Sequence, residues 1–205
     1  MAIHYRTQGI ILKKREVGEA DRIFTCFTRD FGKVSLAAPG ERKITSKLRG
    51  GLEVLCLSEI EFVEGRRSTV IEASLVNGYQ LLKTDLARMR AALRVAETLH
   101  AFLKGQAQDE KVWKLLKETL DTLNDPAVLP QTWSPLYYYF FWNLVSLLGF
   151  KPEPRNIPKE ISSVVSAALE QPLKQFMETH SSFSQESSLA SFARAHFLAI
   201  TKGIQ

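Results

Sequence analysis

Two hydrophobic periodicities divide this chain. Up to about residue 78 the apolar residues come in short runs or alternate with polar ones, the spacing of half-buried strands. Residues 7–12 form an apolar run that ends in Lys13, Lys14 and Arg15. Residues 22–28 are rich in β-branched and aromatic side chains. Gly32 leads into 33–37, where Val34 and Leu36 share a face. The stretch 54–63 closes on the alternation Glu59-Ile60-Glu61-Phe62, and Gly65 turns the chain into 69–72. Five short strands are predicted. So small a sheet has exposed edges unless it closes on itself. The OB-fold is the common closed solution with five strands, and an SH3-like barrel is its structural rival.

From about Asp85 the period becomes helical. Leu86, Met89, Leu93, Ala96 and Leu103 predict the apolar face of a first helix, with Arg88, Arg90 and Arg94 on its polar side. Trp113, Leu116, Leu120 and Leu123 mark a second helix, which Asp125-Pro126 and Pro130 end. Ser134 as N-cap and Pro135 in the first turn open a third over 136–148, with Gly149 as a natural C-cap. This helix is apolar on every side, which predicts the buried centre of a bundle. It falls short of the roughly 20 apolar residues that a bilayer span needs. A stiff linker at 151–154, closing helices over 161–169 and 189–200, and a polar loop at 181–188 complete the pattern. The expectation is an α+β chain: a five-stranded OB-fold β-barrel domain over 1–80, then an α-helical bundle domain over 81–205.

Charge changes this picture by giving it a polarity. The 205 residues carry a net charge of +5 with a pI of about 9.2. The first fifty hold eleven cations and five acids, so the excess is concentrated there. Within them, residues 39–51 place Arg42, Lys43, Lys47 and Arg49 against the single acid Glu41, with glycines at both ends. A flexible cationic loop raised on a β scaffold suits a phosphate backbone. Lys13, Lys14, Arg15 and Arg22 flank the turn between the first two strands, a loop that OB-folds use on nucleic acid. Lys33 adds a further cation.

Catalytic and metal signatures are missing. His4, His100, His180 and His196 are scattered, and no zinc spacing, phosphate-binding glycine loop or nucleophile elbow occurs. Glu16, Glu19 and Asp21 cluster among Lys14, Arg15 and Arg22, the pattern of a salt-bridged turn. Cys26 and Cys56 lie inside apolar strand-like runs and read as buried small hydrophobes, not a disulfide framework. The N-terminus shows no apolar signal core. These observations favour a non-enzymatic, cytosolic binding protein.

One resemblance sharpens the reading. The strings Thr7-Gln8-Gly9-Ile10-Ile11-Leu12-Lys13, Glu19-Ala20-Asp21-Arg22-Ile23, Phe27-Thr28-Arg29-Asp30-Phe31-Gly32-Lys33, Gly40-Glu41-Arg42-Lys43 and Ser46-Lys47-Leu48-Arg49-Gly50-Gly51-Leu52 follow one another. In that order they resemble RecO, the bacterial recombination-mediator family of the RecF pathway. The close match covers about 5–80, and the order barrel-then-helices extends it over the chain. The resemblance implies an N-terminal OB-fold and a helical C-terminal domain. It implies binding to single- and double-stranded DNA, annealing of complementary strands, and partnership with RecR. It also implies loading of RecA onto DNA coated by single-strand-binding protein (SSB), a link to RecF, and a cytoplasmic, nucleoid-associated location. DNA is then expected on Lys13, Lys14, Arg15, Arg22, Lys33, Arg42, Lys43, Lys47 and Arg49. The acidic, apolar-ended SSB tail is expected near Arg88, Arg90 and Arg94. Many members carry a four-cysteine zinc cluster after the segment that resembles 147–152. Here Pro154-Arg155-Asn156-Ile157-Pro158 follows without a cysteine, so neither zinc nor another cofactor is expected. An RNA-binding OB module and a non-enzymatic protein adaptor are the alternatives.

Overall fold

The structure is a computed structural model that describes residues 3–105, 107–180 and 184–203. The chain divides into two compact units, one of residues 1–80 with 103–113 and the other of 81–102 with 114–205.

The first unit is built on five strands: β1 (His4–Val17), β2 (Asp21–Thr28), β3 (Gly32–Ala38), β4 (Leu57–Val63) and β5 (Thr69–Asn77). They close into a barrel in the order β1-β2-β3-β5-β4, the OB-type solution. All pairings are antiparallel except β3 with β5, which meet at Ala37 and Thr69. β1 is longer than the apolar run predicted because it serves two neighbours: residues 4–10 pair with β4 and residues 9–17 with β2. A register shift between Ile11 and Lys13 bends it between the two. The expected strand start at Val54 moves to Leu57. Leu55 adopts a positive φ of 64°, and its N–H donates to the Ile11 carbonyl at 2.8 Å, so 54–56 closes the gap that the bulge leaves. Alternation then fills the interior with Ile11, Phe24, Cys26, Val34, Leu36, Ile60, Phe62 and Val70.

In the second unit, α4 (Trp133–Leu147) is the bundle centre that its composition predicts, with eleven buried residues from Trp133 to Val145. α2 (Leu86–Phe102), α5 (Lys159–Glu170) and α6 (Leu173–Thr179) pack on it. α1 (Gln80–Thr84), α3 (Glu110–Leu123) and α7 (Glu186–Gly203) complete the helices among the described residues.

Three expectations change. The N-cap of α4 is Thr132, not Ser134, because a 3-10 turn at Pro130–Thr132 leads the backbone into the helix. Ser134 sits inside the first turn, and its hydroxyl donates to Glu186 Oε1. The buried face of α2 runs Arg88, Ala92, Val95, Ala96, Leu99 and Phe102, while Leu86 is 63% exposed and Leu103 lies past the helix end. Ala92 and Ala96 on this face leave room for the bulky side chains of α4. Of the polar loop expected at 181–188, residues 181–183 lie outside the described residues and Glu186 onward belongs to α7, while α6 falls where no helix was predicted.

A glycine closes α4 as expected, but the helix ends at Leu147 with Leu148 as its C-cap, and Gly149 is the residue after the cap. Gly149 takes φ +85°, its N–H donates to Ser146 O at 3.1 Å, and Phe150 N–H donates to Val145 O at 2.7 Å, a Schellman motif. Among the described residues no helix is long and apolar enough to cross a membrane.

Candidate nucleic-acid interface

The cationic loop at 39–51 is a chain of turns anchored at both ends. Lys43 N–H donates to Gly40 O, Ser46 N–H to Lys43 O and Gly51 N–H to Leu48 O. At its far end Gly51 lies against β5: a Cβ there would stand 2.3 Å from the Ala73 carbonyl oxygen, so only glycine fits. Leu52 is buried in the barrel core beside the partly buried Leu48.

At its near end the loop is tied to the turn between β1 and β2. Glu41 is 2% exposed and accepts from Arg22 Nη1 at 2.9 Å, while Arg22 Nη2 donates to Glu16 at 3.2 Å. Gly40 N–H donates to Asp21 Oδ1 at 2.8 Å. Arg42 donates its backbone N–H to Ala20 O and Nη1 to Gly18 O, and pairs with Glu16 at 3.6 Å. The two cation groups that the sequence keeps twenty residues apart thus form one assembly. Burial alone would lower the Arg22 pKa, but the hydrogen bonds and charges of Glu16 and Glu41 outweigh it and hold the guanidinium above its ordinary value.

This assembly sorts the predicted cations. Arg22 and Arg42 are engaged by acids. Lys43, Lys47 and Arg49 on the loop, with Lys13, Lys14 and Arg15 on β1, are exposed and have no ion-pair partner among the described residues. The register aligns Lys13 with Thr25 and Arg15 with Ile23, so these two stand on the outer face of the barrel, whereas Lys14 is aligned with the core residue Phe24. Lys33, opposite Phe27, shares that face farther along. Burial, then the charge of Lys104, pushes its pKa down.

The sequence reading missed Arg66 and Arg67, exposed on the turn between β4 and β5. Ala37 N–H donates to Ser68 O at 2.8 Å, which sets this turn at the end of β3. The row Arg15–Ile23–Ala37–Thr69 crosses four neighbouring strands, about 14 Å at the usual strand spacing. Three cation-bearing connections therefore share one rim. Two adjacent arginines after a turn glycine were the available signal, but which rim they join depends on the β3–β5 pairing.

In the second unit, a cavity of about 480 Å³ opens between α2, α4 and α7, with Tyr137, Phe141 and Phe197 as apolar walls and Arg94 and Arg194 among its lining. The Arg94 guanidinium lies 3.6 Å from the Tyr137 ring centroid, a cation–π contact. Arg90 is exposed outside the cavity lining. Arg88 is turned inward: it donates to the carbonyls of Leu123 and Asp125 at 2.8 Å and of Val128 at 3.0 Å, and caps the end of α3.

No group of three histidine, cysteine, aspartate or glutamate residues that could hold a metal ion lies among the described residues. Cys26 and Cys56 are buried thiols that form no disulfide, and burial pushes Cys26 up to about 12.

An OB-type barrel with its loop cations gathered on one rim, followed by a helical unit, defines a two-part architecture rather than a single module. Comparison with known proteins gives the family. The profile Recombination protein O N terminal matches residues 1–79, and Recombination protein O C terminal matches residues 83–156. A DNA repair protein RecO of Dehalococcoides mccartyi is 31% identical over 166 residues, which cover 79% of this chain and 64% of that protein. The DNA repair protein RecO of Gloeothece citriformis is 31% identical over 154 residues, covering 75% and 54%. That of a Synechococcus species is 34% identical over 160 residues, covering 73% and 55%. The chain belongs to the RecO family. It spans between half and two thirds of the length of these relatives.

Proposed function

We propose that this protein is a non-enzymatic mediator of DNA repair and homologous recombination in the bacterial cytoplasm. It binds single- and double-stranded DNA, anneals complementary strands and, with RecR, helps RecA load onto SSB-coated single strands in the RecF pathway. The observation that carries the reading is the barrel rim, where the loop that bears Lys43, Lys47 and Arg49 is tied to the turn that follows Lys13, Lys14 and Arg15 of β1. No bond is made or broken. Exposed lysines and arginines neutralise phosphates and release condensed counterions, which supplies affinity that falls with salt. Two strands bound to such a surface repel each other less, and pairing proceeds. Lys33 extends this field along the outer face of β3, and Arg22 and Arg42 support it from within the rim.

The tail of SSB, acidic with an apolar end, fits the cavity between α2, α4 and α7. Its apolar residues meet Tyr137, Phe141 and Phe197, and its carboxylates meet Arg94 and Arg194. Arg90 stands outside the lining, and Arg88 supports the bundle rather than the peptide.

The test is fluorescence-detected annealing of SSB-coated complementary strands with wild type and with a Lys43→Glu/Lys47→Glu/Arg49→Glu variant. Wild type accelerates annealing and the variant does not. The log K against log salt slope for a single strand flattens by about 2, the share of three phosphate contacts. Equal rates with and without wild type would overturn the mediator reading.

A further inference from the structure

Acids are out of place on a surface that collects phosphates, yet Glu16, Asp21 and Glu41 are built into the rim. Each is engaged by the assembly that joins the 39–51 loop to the β1–β2 turn. Glu41 is the most revealing. Its carboxylate is removed from water, a cost that only a close cationic partner offsets, and Arg22 is that partner. Asp21 accepts the N–H of Gly40, the residue next to Glu41. Together they fasten the loop two to three residues before Lys43. Arg42, between Glu41 and Lys43, is held to Ala20 and Gly18.

We propose that Glu41 and Asp21 are positioning residues of the nucleic-acid site: they fasten the 39–51 loop to the β1–β2 turn and hold Lys43, Lys47 and Arg49 in place for phosphates. The proposal rests on the reading of this rim as the DNA-binding surface. Its physical content is preorganisation. A loop already ordered before binding loses less conformational freedom when the strand arrives. The consequence runs against simple electrostatics. Removing an acid from a cationic surface should tighten DNA binding, whereas removing either of these acids weakens it.

The full chain is titrated onto a fluorescein-labelled oligothymidine across a salt series, read by anisotropy. Glu41→Gln, which removes the buried charge that answers Arg22, and Asp21→Ala, which removes the acceptor of the Gly40 N–H, each weaken binding about tenfold, the size of one charge-assisted hydrogen bond. Each also flattens the salt slope, by up to about 2 if all three loop cations lose their phosphates. Asp21→Asn carries the same charge change as Asp21→Ala but keeps an acceptor oxygen for Gly40, and it recovers most of the affinity. If Glu41→Gln does not fold, as far-UV circular dichroism would reveal, the exposed Asp21 pair carries the test alone. Tighter binding by Glu41→Gln or Asp21→Ala, or identical behaviour of Asp21→Ala and Asp21→Asn, overturns the proposal. A Lys43→Ala/Lys47→Ala/Arg49→Ala variant separates the two levels: if it keeps wild-type affinity and slope, the loop takes no phosphates, and the reading of the rim falls along with the role of its acids.

Discussion

The barrel rim and the α2–α4 face both carry arginines, and they use them in opposite ways. At the rim, Arg22 and Arg42 answer carboxylates, and their engagement leaves neighbouring cations exposed for an outside partner. On α2, Arg88 answers three carbonyl oxygens at the end of α3, and Arg94 lies across the ring of Tyr137 at the mouth of a cavity. Arginine content alone therefore identifies no site. What each guanidinium already touches decides whether it builds the fold, supports a binding surface or forms one.

The sharpest way to break this contrast is at Arg88. Arg88→Met removes three hydrogen bonds to buried or half-buried carbonyls and should cost about 3–5 kcal/mol of stability, measured by denaturant unfolding. DNA affinity of the folded fraction stays at its wild-type value, since Arg88 belongs to the helical unit and the rim loops to the barrel unit. A drop in affinity without loss of stability would show that the two kinds of arginine had been wrongly separated.

The barrel interior supplies the next contrast. The folded-state pKa of Cys26 is raised by burial to about 12, from 9.0. Below pH 9 the thiol is protonated in both folded and unfolded chains, and stability does not change through it. Between 9 and about 12 only the unfolded chain releases the proton, so stability falls by about 1.4 kcal/mol per pH unit. Cys26→Ala removes that slope, which unfolding midpoints compared across this range would reveal. The same burial leaves the native thiol unreactive toward a disulfide reagent at pH 8 until the barrel opens.

The smallest effect belongs to Arg94. Arg94→Ala leaves the fold within about 1 kcal/mol of wild type, as an exposed cation–π contact allows. It nevertheless weakens binding of an acidic, apolar-ended peptide of the SSB tail type, measured by anisotropy. Arg90→Ala, outside the cavity lining, leaves that binding unchanged. Equal losses from the two would remove the cavity as the peptide site.

The residues themselves made much of this legible. Alternation at Glu59–Phe62 and the pair Val34 and Leu36 announced strands. The unbroken aromatic run of α4 announced a bundle centre, and Gly149 its end. Local geometry dictates each of these: a period of two, a helix with no polar face, a residue free to take positive φ. The strings within 5–80 also pointed to the RecO family.

Other features were settled only by distant partners. The apolar face of α2 was expected at Leu86, Met89, Leu93, Ala96 and Leu103, yet of these only Ala96 is buried, and the face runs on through Ala92, Val95, Leu99 and Phe102. Close packing against α4 rewards small side chains, and the carbonyls ending α3 drew Arg88 inward. Ser134 lost its expected cap to a 3-10 turn before it. Arg66 and Arg67 joined the rim only because β3 pairs with β5 at Ala37 and Thr69, a contact across thirty-two positions. Composition determined that the first fifty residues would carry an excess of cations, since charge is a property of the residues alone. Which of those cations face outward was a tertiary decision. A carboxylate such as Glu41 can be buried only where the closed barrel brings Arg22 to meet it, and that meeting divides the engaged cations from the exposed ones.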